Sequence, residues 1–135
     1  MARRSSLFRF PLRSATEALN SAALETFLHE NVTPTEWRTP TLLNSWVDFG
    51  SPYQTARFRR EGNTVHIEGL IKSGTTTITT PIFVLPDEYR PYGDLIIGVA
   101  INGGGGSVAV TSAGSVQAWV VSPTWTSLTC SFQVV

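Results

Sequence analysis

The chain has 135 residues, enough for one domain with a short appendage. Its formal net charge is zero, and no run approaches the roughly 20 apolar residues of a transmembrane helix, so we expect no nucleic-acid partner and no membrane insertion. Only 15% of the residues are charged, below the roughly 25% typical of soluble domains. Such a surface suits burial against partners, but it is equally typical of a Thr/Ser-rich β protein that hydroxyl groups keep soluble.

The first thirteen residues form a basic, aromatic arm without an acidic residue. Its arginines and phenylalanines are Arg3, Arg4, Phe8, Arg9, Phe10 and Arg13. Four arginines are too few to indicate nucleic acid, whereas alternating charge and aromatic rings suit a groove in a larger assembly. The alternative is a flexible basic tail. We interpret the arm as a retained docking segment and not as a targeting signal.

A helix is predicted over residues 15–29. Ser14 and Glu17 have the spacing of a capping box, and Asn31 and Pro34 end the segment. Its apolar residues recur at helical spacing: Leu19, Ala22, Ala23, Leu24, Phe27 and Leu28. Fifteen residues are marginal for an isolated helix in water, so this helix needs a surface on which to pack.

From residue 37 the pattern becomes β, which divides the chain into an anchoring region (1–36) and a β domain (37–135). Residues 53–60 and 65–72 are predicted to form a hairpin with a four-residue loop. If Arg60 lies opposite Val65, then Phe58 faces Ile67 and Arg57 faces Glu68. A slip of one residue destroys both matches, so this register is favoured.

Further strands follow at short spacing. Residues 78–85 contain Pro81, which indicates an edge strand or a bulge. The apolar segment Leu95–Ile101 is expected to be covered on both faces. Residues 107–121 read as a second hairpin around Ser112-Ala113-Gly114, and a last strand runs from Trp125 to the end. This pattern predicts a sandwich or a barrel.

Few residues suggest catalysis or metal binding. A phosphate loop needs a following helix, but a strand follows the glycine run of residues 103–106, so we predict a hairpin tip or a close passage beside a symmetry axis.

We interpret His66 as a solvated surface residue. Cys130, the only cysteine, is placed on the apolar face of its strand. Asp87 and Glu88 are adjacent in a turn, and nothing suggests the carboxylate pair of a glycosidase. No cofactor and no metal are expected.

Four tryptophans are many for this length, and exposed aromatic rings can stack on sugars, although core or interface packing is more common. Trp119 is the one most expected to face outward. Together with Tyr92 and Gly104 in the loops, it is our predicted ligand-binding set.

Four segments carry a resemblance to a known family. In chain order they read Y-Q-T-A-R-F-R-R-E-G-N-T-V-H-I-E-G-L-I-K from Tyr53, I-F-V-L-P-D-E-Y-R-P from Ile82, G-S-V-Q-A-W-V from Gly114 and W-T-S-L from Trp125. Their ordered combination resembles the C-terminal β module of bacteriophage tail-fibre and minor tail proteins, over residues 46–132. The resemblance implies a trimeric β-sandwich knob displayed on the virion, often in host attachment, with no catalytic residues. It also implies that Trp125 packs the last strand. The long shaft of the family is missing, so residues 1–36 would be the attachment device.

The sequence therefore predicts an all-β, jelly-roll-like antiparallel sandwich that assembles as a homotrimer. The predicted function is a tail-associated virion protein that contacts other phage structural proteins, in the tail or the capsid, through its arm. It would aid attachment to a host-surface saccharide. The alternatives are a capsid decoration protein and a small glycan hydrolase.

Overall fold

A computed structural model describes residues 36–134, which form ten β-strands and one short 3-10 turn. The strands are β1 (Val47–Asp48), β2 (Arg57–Glu61), β3 (Thr64–Glu68), β4 (Leu70–Lys72), β5 (Pro81–Val84), β6 (Leu95–Ile101), β7 (Gly104–Val110), β8 (Ser115–Val120), β9 (Thr126–Ser127) and β10 (Cys130–Gln133). The 3-10 turn spans Asp87–Tyr89, between β5 and β6. The predicted arm and the helix over residues 15–29 lie outside the described residues.

All strand pairs are antiparallel and form two sheets. The larger sheet has the order β1-β4-β9-β6-β7-β8-β5, and the smaller has the order β10-β3-β2. The expectation of an all-β, sandwich-like fold is confirmed. The finer expectation of jelly-roll connectivity stays a prediction.

The hairpin of β2 and β3 has the predicted register. Phe58 pairs with Ile67, Arg57 with Glu68 and Arg60 with Val65. The loop is shorter than predicted, because Glu61 and Thr64 also pair and leave only Gly62 and Asn63 in the turn. The alternation of apolar and polar residues in the sequence was therefore sufficient to predict which residues pair, but not where the pairing of the two strands ends.

The strand predicted over residues 65–72 is interrupted at Gly69. Its φ of +141° is unfavourable for other residues, and a Cβ there would lie 2.5 Å from the Ala56 Cα. The chain bends at this glycine and continues as β4 in the larger sheet. The predicted strand over residues 53–60 is also too long, since pairing begins only at Arg57.

The last strand is likewise divided between the two sheets. β9 pairs with β4 in the larger sheet, while β10 pairs with β3 in the smaller one. Both segments bend at the same place, where the Leu128 amide donates a hydrogen bond of 2.8 Å to the Gly69 carbonyl. The two sheets are therefore joined by one two-stranded ribbon with a corner at Gly69 and Leu128.

Two predictions about β5 and β6 have different outcomes. β5 is shorter than predicted, but it is an edge strand with a register irregularity between Pro81 and Phe83, which fits the proline. β6 has the predicted bounds, but the expectation that both its faces are covered is wrong. Ile96, Gly98 and Ala100 are exposed in the described chain, so the outward side of this strand is in contact with solvent.

Only the first glycine of the glycine run lies in the tip of a hairpin. Gly104–Gly106 belong to β7 and pair with β6, so only Asn102 and Gly103 form the turn. A Cβ at Gly106 would lie 2.3 Å from the Val120 carbonyl oxygen. At that position the absence of a side chain permits close approach of the neighbouring strand.

The core lies between the inner faces of the two sheets. The Phe58 ring on β2 stacks at 6.1 Å on the Phe83 ring of β5, and it meets the Tyr89 ring edge-on at 4.9 Å. Other large side chains that are almost fully buried are Trp46, Ile67, Ile71, Ile82, Leu85 and Leu128. Leu128 and Phe132 are buried and Cys130 packs against the same cluster, which confirms the predicted apolar face of the last segment. No helix within residues 36–134 is long and apolar enough to cross a membrane.

Candidate ligand-binding site

A groove opens on the outer face of the larger sheet, where β1, β4 and β9 meet. Ile71 of β4 points into the core, so its neighbour Leu70 points outward. The Phe49 amide donates a hydrogen bond of 2.9 Å to the Leu70 carbonyl, which holds the residue after β1 beside β4. Trp125 immediately precedes β9 on the other side. Pairing of three distant segments therefore brings these side chains together.

The loop after β1 carries the fourth member of the groove. The Tyr53 amide donates to the Gly50 carbonyl at 3.0 Å, which closes a tight turn. The turn places the Tyr53 ring edge-on against the Phe49 ring, at a centroid distance of 5.3 Å and an interplanar angle of 86°. The Leu70 amide donates to the Gln54 carbonyl at 3.0 Å, so the loop is attached to β4 on both sides of Tyr53.

The groove is small, aromatic and open to solvent. Phe49, Tyr53, Leu70 and Trp125 line a volume of about 260 Å³. Tyr53 is 53% exposed, whereas Trp125 is half-buried. The four lining residues include no carboxylate, imidazole or thiol, so their polar side-chain groups are the Tyr53 hydroxyl and the Trp125 indole N–H.

One cation lies at the rim. The Lys72 ammonium is 5.1 Å from the centroid of the Phe49 ring, a cation–π distance. Lys72 follows Leu70 by two residues on β4, so both side chains lie on the outer side of the sheet. Among residues 36–134 no carboxylate forms an ion pair with Lys72. The groove therefore has one positive end.

The predicted ligand-binding residues do not line this groove. Tyr92 is 93% exposed in the turn before β6, and Gly104 begins β7. Trp119 is half-buried at a register shift of β8, where Val120 pairs with Ser107 and Ala118 with Val108. The structure does not bring these three predicted residues together in the groove.

Sequence reasoning missed the groove because its aromatic residues are 4 to 76 positions apart. Trp125 was expected only to pack the last strand, yet its half-buried ring also lines the groove. The sequence did carry one signal: Tyr53 and Trp125 are each the first residue of a predicted strand, and each is in step with the polar positions of that strand and not with its apolar ones. Only the β1–β4 and β4–β9 pairings bring them together.

The rest of the larger sheet presents an uncharged outer face, which we call the open face. The open face comprises Val84, Ile96, Gly98, Ala100, Gly105, Ser107, Ser115, Gln117 and Val120. Ile96 is 56% exposed, and Val84 and Val120 are 52% exposed. Three exposed β-branched residues on a face without charge are typical of a contact surface.

The smaller sheet has the opposite character, with a charged outer face. Arg57 forms an ion pair with Glu68, and the guanidinium groups of Arg57 and Arg59 lie 4.1 and 4.6 Å from the Trp37 ring centroid. Ser131 and His66 are paired on the same side. The two outer surfaces of the described domain therefore differ sharply in charge.

His66 has more partners than expected. Its Nδ1 lies 2.8 Å from the Ser131 hydroxyl and its Nε2 lies 3.3 Å from a Glu61 carboxylate oxygen. A serine, histidine and carboxylate in this order can activate a nucleophile. Here the His66 and Glu61 side chains are 33% and 51% exposed and Ser131 is exposed, so water reaches the site. The arrangement is an open surface network and lacks the water-excluded setting that stabilises an oxyanion.

No protein-family model matches the sequence, and no curated protein matches it. The structure is similar to the crystal structure of the receptor binding protein (gp15) of Listeria phage PSA, with a TM-score of 0.58 and 16% sequence identity. The similarity covers 93% of this chain and 79% of that chain. At this identity the comparison establishes a shared fold.

Proposed function

We propose that this protein is a bacteriophage virion component, a small tail-associated knob that aids attachment to the host surface. The observation that carries the proposal is the fold shared with a phage receptor binding protein over 93% of this chain. The sequence resemblance to tail-fibre and minor tail modules supports the same assignment independently of the fold. An outward aromatic groove gives the knob a surface with which to bind.

The knob would act as a homotrimer, and the open face is the surface that supports this. It exposes Val84, Ile96 and Val120 without a charged neighbour on the same face. Association buries such apolar area, and a closed ring of copies satisfies every contact surface. The charged face around Arg57 and Glu68 would remain in water.

Residues 1–36 would anchor the knob to the tail or to another structural protein of the particle. The proposed contacts are the arginines and phenylalanines of the arm, which lie outside the described residues. A guanidinium group can pair with a carboxylate while a neighbouring ring enters an apolar slot. The arm would therefore serve as the attachment device of the knob.

Immunogold electron microscopy of purified particles tests the proposed location. The antibody would be raised against residues 46–135, and the particles would come from the phage that encodes the chain. We expect gold at the tail end. Gold over the head would instead indicate a capsid decoration protein, and unlabelled virions would overturn the virion assignment.

An adsorption assay tests the attachment role. Purified protein, added in excess to host cells, should compete with intact phage and slow its adsorption. Protein that binds the cells without affecting phage adsorption would argue against the role. Release of sugar from host cell wall, lost on changing Asp87 or Glu88, would indicate the glycan hydrolase instead.

A further inference from the structure

We infer that the groove of Phe49, Tyr53, Leu70 and Trp125 is a binding site for one pyranose ring that carries an anionic group. The inference rests on the proposed attachment function and deepens it, because it gives the host ligand a chemical class and a place on the fold. It differs from the predicted set of Tyr92, Gly104 and Trp119, none of which lines the groove.

The aromatic lining favours a sugar ring. A pyranose has apolar patches of C–H groups on its faces and hydroxyl groups at its edge, so it packs on an aromatic ring while its hydroxyls stay in water. Three aromatic rings line this groove, and Tyr53 is 53% exposed. The Tyr53 hydroxyl adds a hydrogen-bonding group at the rim.

The volume favours one ring. Sites for drug-sized ligands usually enclose about 300 to 1,000 Å³. The volume of about 260 Å³ lies just below that range, so one six-membered ring with its substituents fits. A protein partner would need a larger contact area, of about 800 Å² on each side.

The loop that forms one side of the groove is held in place without a ligand. Hydrogen bonds from Phe49 to Leu70 and from Leu70 to Gln54 hold both sides of the groove on one strand. The contact between the Phe49 and Tyr53 rings sets the angle between two of its walls. Little backbone freedom of this loop is therefore lost on binding, which favours weak ligands such as single sugars.

Lys72 selects for an anion. Its ammonium lies against the Phe49 ring and has no carboxylate partner among residues 36–134. The cation–π contact leaves the positive charge in place, so a carboxylate or phosphate on the bound sugar would meet it. Uronic acids and sugar phosphates share this chemistry.

Saturation-transfer difference NMR and titration with the full chain test the inference. The neutral probes are glucose, galactose, mannose and N-acetylglucosamine, and the anionic probes are glucuronic acid, galacturonic acid and glucose 6-phosphate. We expect transfer to sugar C–H protons and tighter binding of at least one anionic probe than of its neutral parent. A carboxylate-bearing or a phosphate-bearing preference identifies the source of the anion. No transfer to any of the seven probes would overturn the inference.

Substitutions test whether the sugar binds in the groove. Tyr53→Ala should raise Kd about fivefold or more by removing one ring, while the matched control Tyr92→Ala removes a fully accessible tyrosine elsewhere and should leave Kd unchanged. Lys72→Gln should reduce the preference for the anionic probe about threefold and leave neutral binding intact. Equal effects of the two tyrosine variants, or an effect of Tyr92→Ala alone, would contradict the groove assignment.

The same variants separate this inference from the proposed function. If the protein is found at the tail and slows phage adsorption, but Tyr53→Ala changes neither sugar binding nor competition, the groove assignment fails and the attachment role stands. If Tyr53→Ala abolishes sugar binding, but the unmodified protein is absent from virions, the attachment role fails and the groove assignment stands.

Discussion

The Arg57 guanidinium donates two hydrogen bonds to one carboxylate oxygen of Glu68, at 2.9 Å from Nε and 2.5 Å from Nη2. The two residues are directly opposite on β2 and β3, and the Trp37 ring covers the guanidinium at 4.1 Å. The pair therefore joins a cross-strand ion pair to a cation–π contact. It also marks the outer surface of the smaller sheet as a solvated, charged face.

This pair should stabilise the hairpin modestly. Both side chains are about one-third exposed, so solvent and salt screen the interaction. Glu68→Gln should lower the free energy of unfolding by about 0.5 kcal/mol, and Arg57→Ala by about 1 kcal/mol because the Trp37 contact is lost as well. Denaturant unfolding at low and high salt measures both. Asp87→Asn, at a pair whose carboxylate is 89% exposed, is the control and should change little.

The open face should carry the contacts between copies. A trimer of the 14.7 kDa chain has a mass of about 44 kDa, which sedimentation analysis resolves from the monomer. Ile96→Lys places a charge on the uncharged face and should shift the population towards monomer. Val47→Lys is matched in exposure on β1, at the far end of the sheet, and should leave the mass unchanged. A wild-type monomer would refute the trimer.

The corner between the sheets should be intolerant of side chains. Gly69→Ala combines an unfavourable φ of +141° with a Cβ that would overlap the Ala56 backbone. We expect a loss of at least about 2 kcal/mol in unfolding free energy, or failure to fold. Gly93→Ala is the control, because a Cβ there has nothing within 4 Å and its φ is ordinary. Equal stability of the two variants would show that the corner relaxes freely.

The Cys130 thiol should be unreactive in the folded protein. Desolvation by burial raises its pKa from an ordinary 9.0 to about 12, so the nucleophilic thiolate is scarce at pH 8. An aromatic disulfide reagent should label the protein rapidly only after denaturation. Rapid labelling of the native protein would show that the thiol is exposed.

The raised pKa of Cys130 also makes the free energy of unfolding depend on pH. Between pH 9 and about 12 the unfolded chain loses the thiol proton while the folded chain keeps it, so this group's contribution to stability falls as pH rises. Cys130→Ala should show a shallower loss of stability over that window. Identical pH profiles of the two proteins would exclude the effect.

Removal of residues 1–13 should separate folding from attachment. The arm is proposed to contact the particle, while the described core begins after it, so the truncated protein should remain a folded trimer that no longer joins virions. Circular dichroism and sedimentation monitor the fold, and immunoblotting of purified particles monitors incorporation. Truncated protein that is still present on virions would exclude the arm as the anchor.

Local pattern alone determined much of the β domain. The alternation of apolar and polar residues around Phe58 and Ile67 was enough to set the register of β2 and β3, because a slip of one residue exchanges the two faces of a strand. The bounds of β6 and the edge position implied by Pro81 followed from equally local chemistry. These features depend on neighbours in sequence or on one backbone property.

The tertiary structure decided which sheet each segment joins and which faces remain open. The chain passes into the second sheet at Gly69, where the Ala56 backbone leaves no room for a Cβ, and no periodicity of the sequence shows that approach. Ile96 of β6 is 56% exposed, although the sequence of β6 is that of a strand buried on both faces. The groove of Tyr53 and Trp125 exists only through pairing of β4 with β1 and β9, since long-range pairing brings together residues that local pattern treats separately.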